Sequence, residues 1–377
     1  MATIILLSRP AGVLSKISRS CSPAVFAAAV QQRKLHDSFI PKGKREHLSS
    51  SGLSVTVFGA TGFLGRYVVN RLCRIGSQVI IPYRCDRYDL GHLKPIGDLG
   101  QITFVEWDAR DQDSIKRAVE YSDVVINLVG REWETRNYCF QDVFVTIPQQ
   151  IARAAKEAGV KKCIHISHLN ADLCSPSKYL RNKAIGEELL REEFPELIIM
   201  KPSEMYGRED CFFNHFLNMS WFGYAVPLIA MGKKTVKQPV SVVDVAKAIV
   251  SAVKDPDVLG KTYVLVGPNR YILYDLVKYL YKVSRTIFVP YSLPRPLFHL
   301  AAIVLSSVPH DPWTTPDKVD RFHISDLKYP GLPGMEDLGI TASTVEQRAI
   351  EVLRRHRRRH YRDPDLEEIK PPKTVTF

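Results

Sequence analysis

The chain has 377 residues, 45% of them apolar and 24% charged, with 52 Lys and Arg against 40 Asp and Glu and a net charge of +12. That length corresponds to roughly two domains of about 150 residues each, and the composition excludes a globally disordered, collagen-like or coiled-coil chain. No uninterrupted apolar run reaches the roughly 18 residues a membrane-spanning helix needs; the nearest, residues 297–308, contains His299.

Arg9, Lys16, Arg19, Arg33 and Lys34 all precede the first acid, Asp37. Residues 1–34, rich in Ser and Ala and free of acids, therefore read as a mitochondrial transit peptide. A secretory signal fits less well, because Arg9, Lys16 and Arg19 interrupt the apolar stretch. A second basic cluster, Arg354, Arg355, Arg357, Arg358 and Arg359, lies near the other end. Positive charge thus gathers at the two ends, without zinc-finger spacing, an aromatic RNA-binding motif or a helix-turn-helix signature, and no nucleic-acid partner is expected. The seven cysteines (Cys21, Cys73, Cys85, Cys139, Cys163, Cys174, Cys211) include no CxxC pair. They predict neither a disulfide framework nor a metal site, and suit a reducing compartment such as the mitochondrial matrix.

Residues 53–58 form a β-branched run, followed by Gly59-Ala-Thr61-Gly62-Phe63-Leu64-Gly65 and an apolar-periodic helix over 67–75. This strand, glycine turn and helix suit a dinucleotide pyrophosphate. Glycines let the backbone approach the phosphates, and the helix N-terminus offers N–H donors and positive potential. The rhythm repeats with strands at 78–83, 102–107, 123–128, 162–167 and 197–201, and helices at 112–121, 145–158 (containing Pro148) and 179–194. Alternation of this kind predicts a parallel sheet covered on both faces, with ligands beyond the C-terminal strand ends. Arg84, Asp108, Asn127 to Gly130, and Ser167 fall at those ends. An acid at position 84 would accept from a ribose 2′-hydroxyl, whereas Arg84 can pair with a 2′-phosphate, so NADP(H) is preferred over NAD(H); a solvated surface arginine is the plainer alternative. Tyr179 and Lys183 lie one helical turn apart at the start of a helix, where lysine can lower the phenol's pKa and hold a ribose. Tyr274 and Lys278 share the spacing without a cofactor turn beside them.

GATGFLG at 59–65, Tyr179-Leu-Arg-Asn-Lys183 and Lys201-Pro-Ser-Glu-Met-Tyr-Gly207 resemble successive signatures of the extended and atypical short-chain dehydrogenase/reductases. Longer segments, among them VTVFGATGFLGRYVVN, VKQPVSVVDVAKAIV and IEVLRRHR, resemble the branch that serves as NADPH-binding accessory subunits of mitochondrial respiratory complex I. The resemblance implies an α/β fold, a doubly wound parallel sheet of Rossmann type with a smaller C-terminal lobe. It also implies a subunit without turnover of its own, on the matrix side of the inner membrane and peripheral to it. Its partners would be other complex I subunits near the junction of the matrix and membrane arms, with lipid headgroups as a further contact. Gly59, Thr61, Gly62, Phe63, Leu64 and Gly65 would surround the pyrophosphate, Arg84 the 2′-phosphate and Asp108 the adenine end. Val129 and Gly130 would form the fourth-strand turn, and Ser167, Tyr179, Lys183 and Pro202 would surround the nicotinamide. NADPH is the expected cofactor; Arg84 argues against a flavin. The alternative is a free matrix NADPH-dependent reductase or epimerase working through Tyr179 and Lys183. After Ser167 the chain reads His168-Leu169-Asn170, where active enzymes often carry further small hydroxylic residues.

The expected division is a leader at 1–34, the dinucleotide domain at 52–202, a smaller lobe and interface at 203–335, and a basic helix with a docking tail at 336–377. Phe212, Phe213, Phe216, Trp221 and Phe222 are either lobe core or a contact surface. A helix over 240–253 has Asp244 near its start as a cap. The Pro-punctuated stretch 286–335 is suited to a membrane surface or a partner's groove, and the basic run after 353 to anionic headgroups, acidic subunits or plain solvation.

Overall fold

In the computed structural model, residues 51–218, 225–306, 312, 314–357 and 369–375 are described. The expected leader, Trp221, Phe222, Arg358, Arg359 and residues 363–368 of the tail lie outside them. The short β-branched runs make the strands β1 (Ser54–Phe58), β2 (Gln78–Tyr83), β3 (Ile102–Glu106), β4 (Val124–Asn127), β5 (Lys162–Ile166) and β6 (Ile198–Pro202). They alternate with the helices α1 (Phe63–Arg74), α2 (Gln112–Val119), α3 (Ile147–Glu157) and α4 (Lys178–Glu193). Beyond β6 come β7 (Met205–Tyr206), α5 (Phe213–Asn218), β8 (Ala225–Leu228), β9 (Val236–Lys237), β10 (Val240–Ser241), α6 (Val242–Lys254), β11 (Thr262–Leu265) and β12 (Tyr271–Ile272). The chain continues through α7 (Leu273–Ser284), β13 (Val289–Ser292), α8 (Arg295–Ser306), α9 (Pro316–His323) and α10 (Val345–Leu353).

Seven strands pair in the order β11-β6-β5-β4-β1-β2-β3, every neighbour parallel. This is the Rossmann-like doubly wound sheet expected from the sequence, and its strand order reverses between β1 and β4. Side chains alternate between its faces as a two-residue period requires. Val124, Ile126, Ile164, Ile198 and Met200 pack with α1 and α6, whereas Val125, Cys163 and Ile199 pack with α2 and α3. The outer strand β11 was not expected; it lies well past the last βα repeat that the sequence pattern displayed.

Two departures from the sequence reading have local causes. Helix α1 begins at Phe63, not at residue 67, because Gly62 itself is the extended N-cap. The helix expected from residue 145 starts earlier, with the wide π-type turn Asp142–Thr146 running into α3. Pro148 has no N–H to give the Phe144 carbonyl. That oxygen instead faces Gly186 of α4, where an added Cβ would sit only 2.2 Å away. The wide turn therefore lets α3 and α4 close together and sets the Phe144 ring beside the start of α4.

The remaining elements form the second lobe. Phe212, Phe213 and Phe216 are lobe core, buried with Tyr206, Tyr271, Tyr281 and Phe322 and with one face of α10. Asp244 is not a cap: Ser241 precedes α6, while the buried Asp244 carboxylate pairs with Lys247 at 2.8 Å and accepts from the Ser343 N–H at 2.8 Å. Stretch 286–335 folds as β13, α8 and α9. Helix α10 ends at Leu353, before the basic run, and Arg357 is buried instead of facing solvent. Thr374 in the tail pairs with Tyr271, and the Val375 N–H bonds the Arg270 carbonyl, so this part docks on its own chain.

Lys237 and Asp326 are both fully buried and pair at 3.3 Å; Asp326 also accepts from the Gln238 N–H at 2.7 Å and from the Asn170 side chain at 3.0 Å. Removing Asp326 leaves the buried Lys237 ammonium with only the Arg321 carbonyl at 3.2 Å and the Glu204 carboxylate at 3.9 Å. Asp326→Ala should therefore lower the unfolding free energy by about 3–5 kcal/mol in chemical denaturation, far more than an exposed carboxylate would.

Candidate functional site

Gly59, Gly62, Phe63, Leu64, Gly65, Val129, Gly130, Ser167, Tyr179, Lys183 and Pro202 line one cavity of about 320 Å³ at the C-terminal strand ends. Thr61 stands in the same turn but outside the wall. Arg84 and Asp108 lie farther out, past the ends of β2 and β3, on open surface. Arg131, Glu132, His168, Glu204, Cys211 and Arg321 also line the cavity, and none of them is among the cofactor contacts expected from the sequence.

At the glycine turn, Gly59 has φ +77°, and a Cβ there would lie 2.8 Å from the Leu128 carbonyl; one on Gly65 would lie 2.5 Å from the Ala60 oxygen. These two glycines are required by the fold itself. Gly62 differs: it is exposed, has φ −72°, and its Cβ would meet only the Gly59 oxygen at 3.3 Å. No side chain caps α1 and its first turn holds no acid. The positive helix end thus opens onto the cavity, as an anion requires. Across the turn, Asn127 accepts from the Val129 N–H at 3.0 Å and fixes the β4 loop.

The helix α4 side of the cavity is packed and charged. Tyr179 sits against Phe144 (centroids 4.8 Å apart), with Lys183 Nζ 4.9 Å from its ring centroid. Lys183 donates to the Ser167 carbonyl at 3.0 Å. The Ser167 hydroxyl bonds Glu187, whose second oxygen pairs with Lys201 at 2.9 Å. Burial pushes the Tyr179 phenol well above its ordinary pKa, against the pull of the Arg321 guanidinium. Burial, with repulsion from Arg321, brings Lys183 down to about 7. The expected lowering of the phenol by Lys183 is therefore not what the site does: desolvation dominates.

Arg321, from α9, closes the inner end. It is 3% exposed, lies 4.7 Å from the Tyr179 ring centroid, pairs with Glu132 at 2.8 Å and approaches Glu204 at 3.6 Å. Lys318 also pairs with Glu132, at 3.0 Å. His168 Nδ1 accepts from the Asn170 N–H, which leaves Nε2 facing Glu204 at 3.5 Å. His168 Nε2, Glu204 Oε1 and Arg321 Nε are buried without a hydrogen bond. The two nitrogens instead converge on Glu204 Oε1 itself, at 3.5 and 3.6 Å, as a buried charge cluster. The uncapped glycine turn, open to the cavity, fits a dinucleotide whose pyrophosphate would lie at α1.

The chain belongs to the NmrA-like family, whose profile matches residues 53–294. It is 57% identical over 361 residues to the mouse (Mus musculus) protein "NADH dehydrogenase [ubiquinone] 1 alpha subcomplex subunit 9, mitochondrial", covering 94% of this chain and 96% of that one. The Arabidopsis thaliana protein of the same name is 38% identical over 329 residues, covering 84% of this chain and 81% of that one. Among solved structures, the Citrobacter sp. triphenylmethane reductase complexed with NADP(H) shares the fold: TM-score 0.64 and 18% identity, over 79% of this chain and 99% of that one.

Burial alone would raise the Glu132 carboxyl, but Arg321 and Lys318 hold it at about 2. A carboxyl lowered on folding stabilises above its unfolded pKa, and that contribution is lost as pH falls toward about 2. In Arg321→Ala the largest pull on the Glu132 carboxyl is gone and Lys318 alone remains at 3.0 Å, so its pKa rises and less stability is lost on protonation. The stability gap between wild type and variant, about 3–5 kcal/mol at pH 7, should narrow as pH falls below about 4.5. Denaturation midpoints measured across that range check the sign.

Proposed function

We propose that this chain is an accessory subunit of mitochondrial complex I that holds NADPH as a structural ligand and supports assembly and stability of the complex. The mouse and Arabidopsis relatives carry that subunit's name over most of their length, which supports the place in the complex. The observation that carries the structural role is the inner end of the cavity. Arg321 covers the Tyr179 ring, the phenol is held neutral, and the Ser167 hydroxyl is directed at Glu187. Such a site can grip a nucleotide, whereas a phenol held neutral and a Ser167 hydroxyl committed to Glu187 are poor proton-transfer groups. NADPH supplies a hydride when it reacts; here its phosphates and ribose would serve as anchors.

The cavity takes the pyrophosphate and nicotinamide half. The adenosine half would lie over the ends of β2 and β3, with Arg84 toward the 2′-phosphate and Asp108 toward the adenine end. Among the described residues no helix is long and apolar enough to cross a membrane. Leu297, Leu300, Ile303 and Val304 leave one face of α8 apolar and exposed. Both features suit a peripheral subunit on the matrix side, contacting neighbouring subunits near the arm junction and lipid headgroups. A free reductase or epimerase is favoured only by the adjacency of Tyr179 and Lys183.

Nucleotide at about 100 times its dissociation constant should add about 2.7 kcal/mol to stability. Gly62→Val, which the turn accommodates but which fills the phosphate cradle, should abolish that gain and lower the amount of assembled complex in cells lacking the native chain. Tyr179→Phe should leave assembly in place. Normal assembly with Gly62→Val, once nucleotide loss is established, overturns the structural role; turnover by the isolated chain that Tyr179→Phe abolishes establishes the reductase. Arg84→Asp should weaken NADPH binding about tenfold or more, and NADH binding far less.

A further inference from the structure

Arg84 does not act alone in the structure. Its guanidinium carbon lies 5.1 Å from the centroid of the Tyr138 ring, and that of Arg110 lies 5.0 Å from the same centroid. Both arginines are exposed, and among the described residues neither forms an ion pair with a carboxylate. Two guanidinium groups on one tyrosine repel each other, and an exposed cation–π contact offsets only part of that cost. The Asp142 carboxylate acts on Arg110 from nearby, and a dianion within reach of both guanidinium groups would offset the remaining repulsion.

Three separate strands of the chain bring the group together. Arg84 follows β2 directly. Arg110 follows β3, and its position is fixed by a bond from its guanidinium to the Asn137 carbonyl at 3.0 Å. Tyr138 closes a tight turn in which Thr135 accepts from the Tyr138 N–H at 3.2 Å and donates its own N–H to the Tyr138 carbonyl at 3.0 Å. Tyr138 is half-buried against the cluster of Phe140, Val143 and Phe144. Since β2 and β3 are adjacent and parallel, with Tyr83 opposite Glu106, the two arginines leave the same edge of the sheet. That edge carries the adenosine ribose in the nucleotide reading given above, on which this inference rests.

We propose that Arg84, Tyr138 and Arg110 form one clamp for the 2′-phosphate of NADPH. Arg110 is the second cation that touches the phosphate, and Tyr138 is a positioning residue that holds both guanidinium groups. The aromatic face, not the phenol oxygen, does the positioning, so Phe can replace Tyr138 and Leu cannot.

The test uses the full chain and two small probes, 2′,5′-ADP and 5′-AMP, with binding measured by calorimetry beside NADPH and NADH. Arg110→Gln should lose about tenfold in affinity for 2′,5′-ADP and for NADPH, and change 5′-AMP and NADH by less than about twofold. Tyr138→Leu should show the same selective loss, Tyr138→Phe should retain the wild-type ratio, and Tyr138→Leu added to Arg84→Gln should cost little more than either alone. Melting without ligand verifies that each variant is folded. Equal losses for phosphorylated and unphosphorylated probes, or none, in Arg110→Gln overturn the clamp, as does a Tyr138→Phe variant that behaves like Tyr138→Leu. Wild type that binds NADPH and NADH equally overturns the clamp and leaves the nucleotide site standing; wild type that binds neither nucleotide overturns both.

Discussion

The pairing of Arg321 with Glu132 and Glu204 is the contact on which the site's geometry depends. A guanidinium this deeply buried is tolerable only because two carboxylates and the Tyr179 face surround it. Each partner comes from a different part of the chain: Glu132 from the loop after β4, Glu204 from the segment after β6, and Arg321 from α9 in the second lobe. The ion pairs therefore define how the late helix meets the sheet, and through Tyr179 they define the inner wall of the cavity. Lys318 and Lys237 extend the same charge pattern to either side.

That arrangement bears on what the cavity can do. A phenol used in proton transfer benefits from a pKa brought toward neutrality. Here desolvation moves Tyr179 the opposite way, and the ammonium beside it is the group brought down to about 7. The same burial that makes the pocket a good container makes Tyr179 a poor acid or base. Phe144 adds to this, since its ring packs against Tyr179 as a consequence of the Pro148-induced turn and the space left by Gly186. Packing of the α3–α4 corner and the charge of α9 thus act in one direction, toward holding a ligand.

The sheet was legible in the sequence because its signals are local. A β-branched run, a glycine turn and a periodic helix each announce themselves within about ten residues, and strands β1 to β6 follow one another in that rhythm. Gly59, Gly62 and Gly65 could be placed on the same grounds. Arg321, Glu132 and Glu204 could not, because nothing near any of them names its partner; only the fold brings α9 to the strand ends. Glu204 did carry a signal, since it stands just past the end of β6 as Ser167 stands just past β5, and an acid at a buried strand end needs a cation. Strand β11 carries no such signal because the pattern between residues 203 and 262 interrupts the βα rhythm, and Asp244 reads as a cap because a carboxylate early in a helix is usually one. The distal Ser343 N–H that it accepts from is invisible at that range.

Helix α9 has a second face. Its Asp320 accepts from Arg295 at 2.7 Å and contacts His299 at 3.0 Å, both on α8. Residue 320 thus ties α9 to the helix whose outer face exposes Leu297, Leu300, Ile303 and Val304, while residue 321, next along the chain, reaches into the cavity. Adjacent residues on a helix point about 100° apart, so one short helix can face both at once. The inward contact is the deeper: Arg321 is nearly inaccessible, whereas Arg295 and His299 stay partly open to solvent, where ion pairs are worth little. The position of α9 is consequently set from the cavity side, and α8 with its apolar face is placed by a helix whose own anchorage is the wall of the nucleotide-sized pocket.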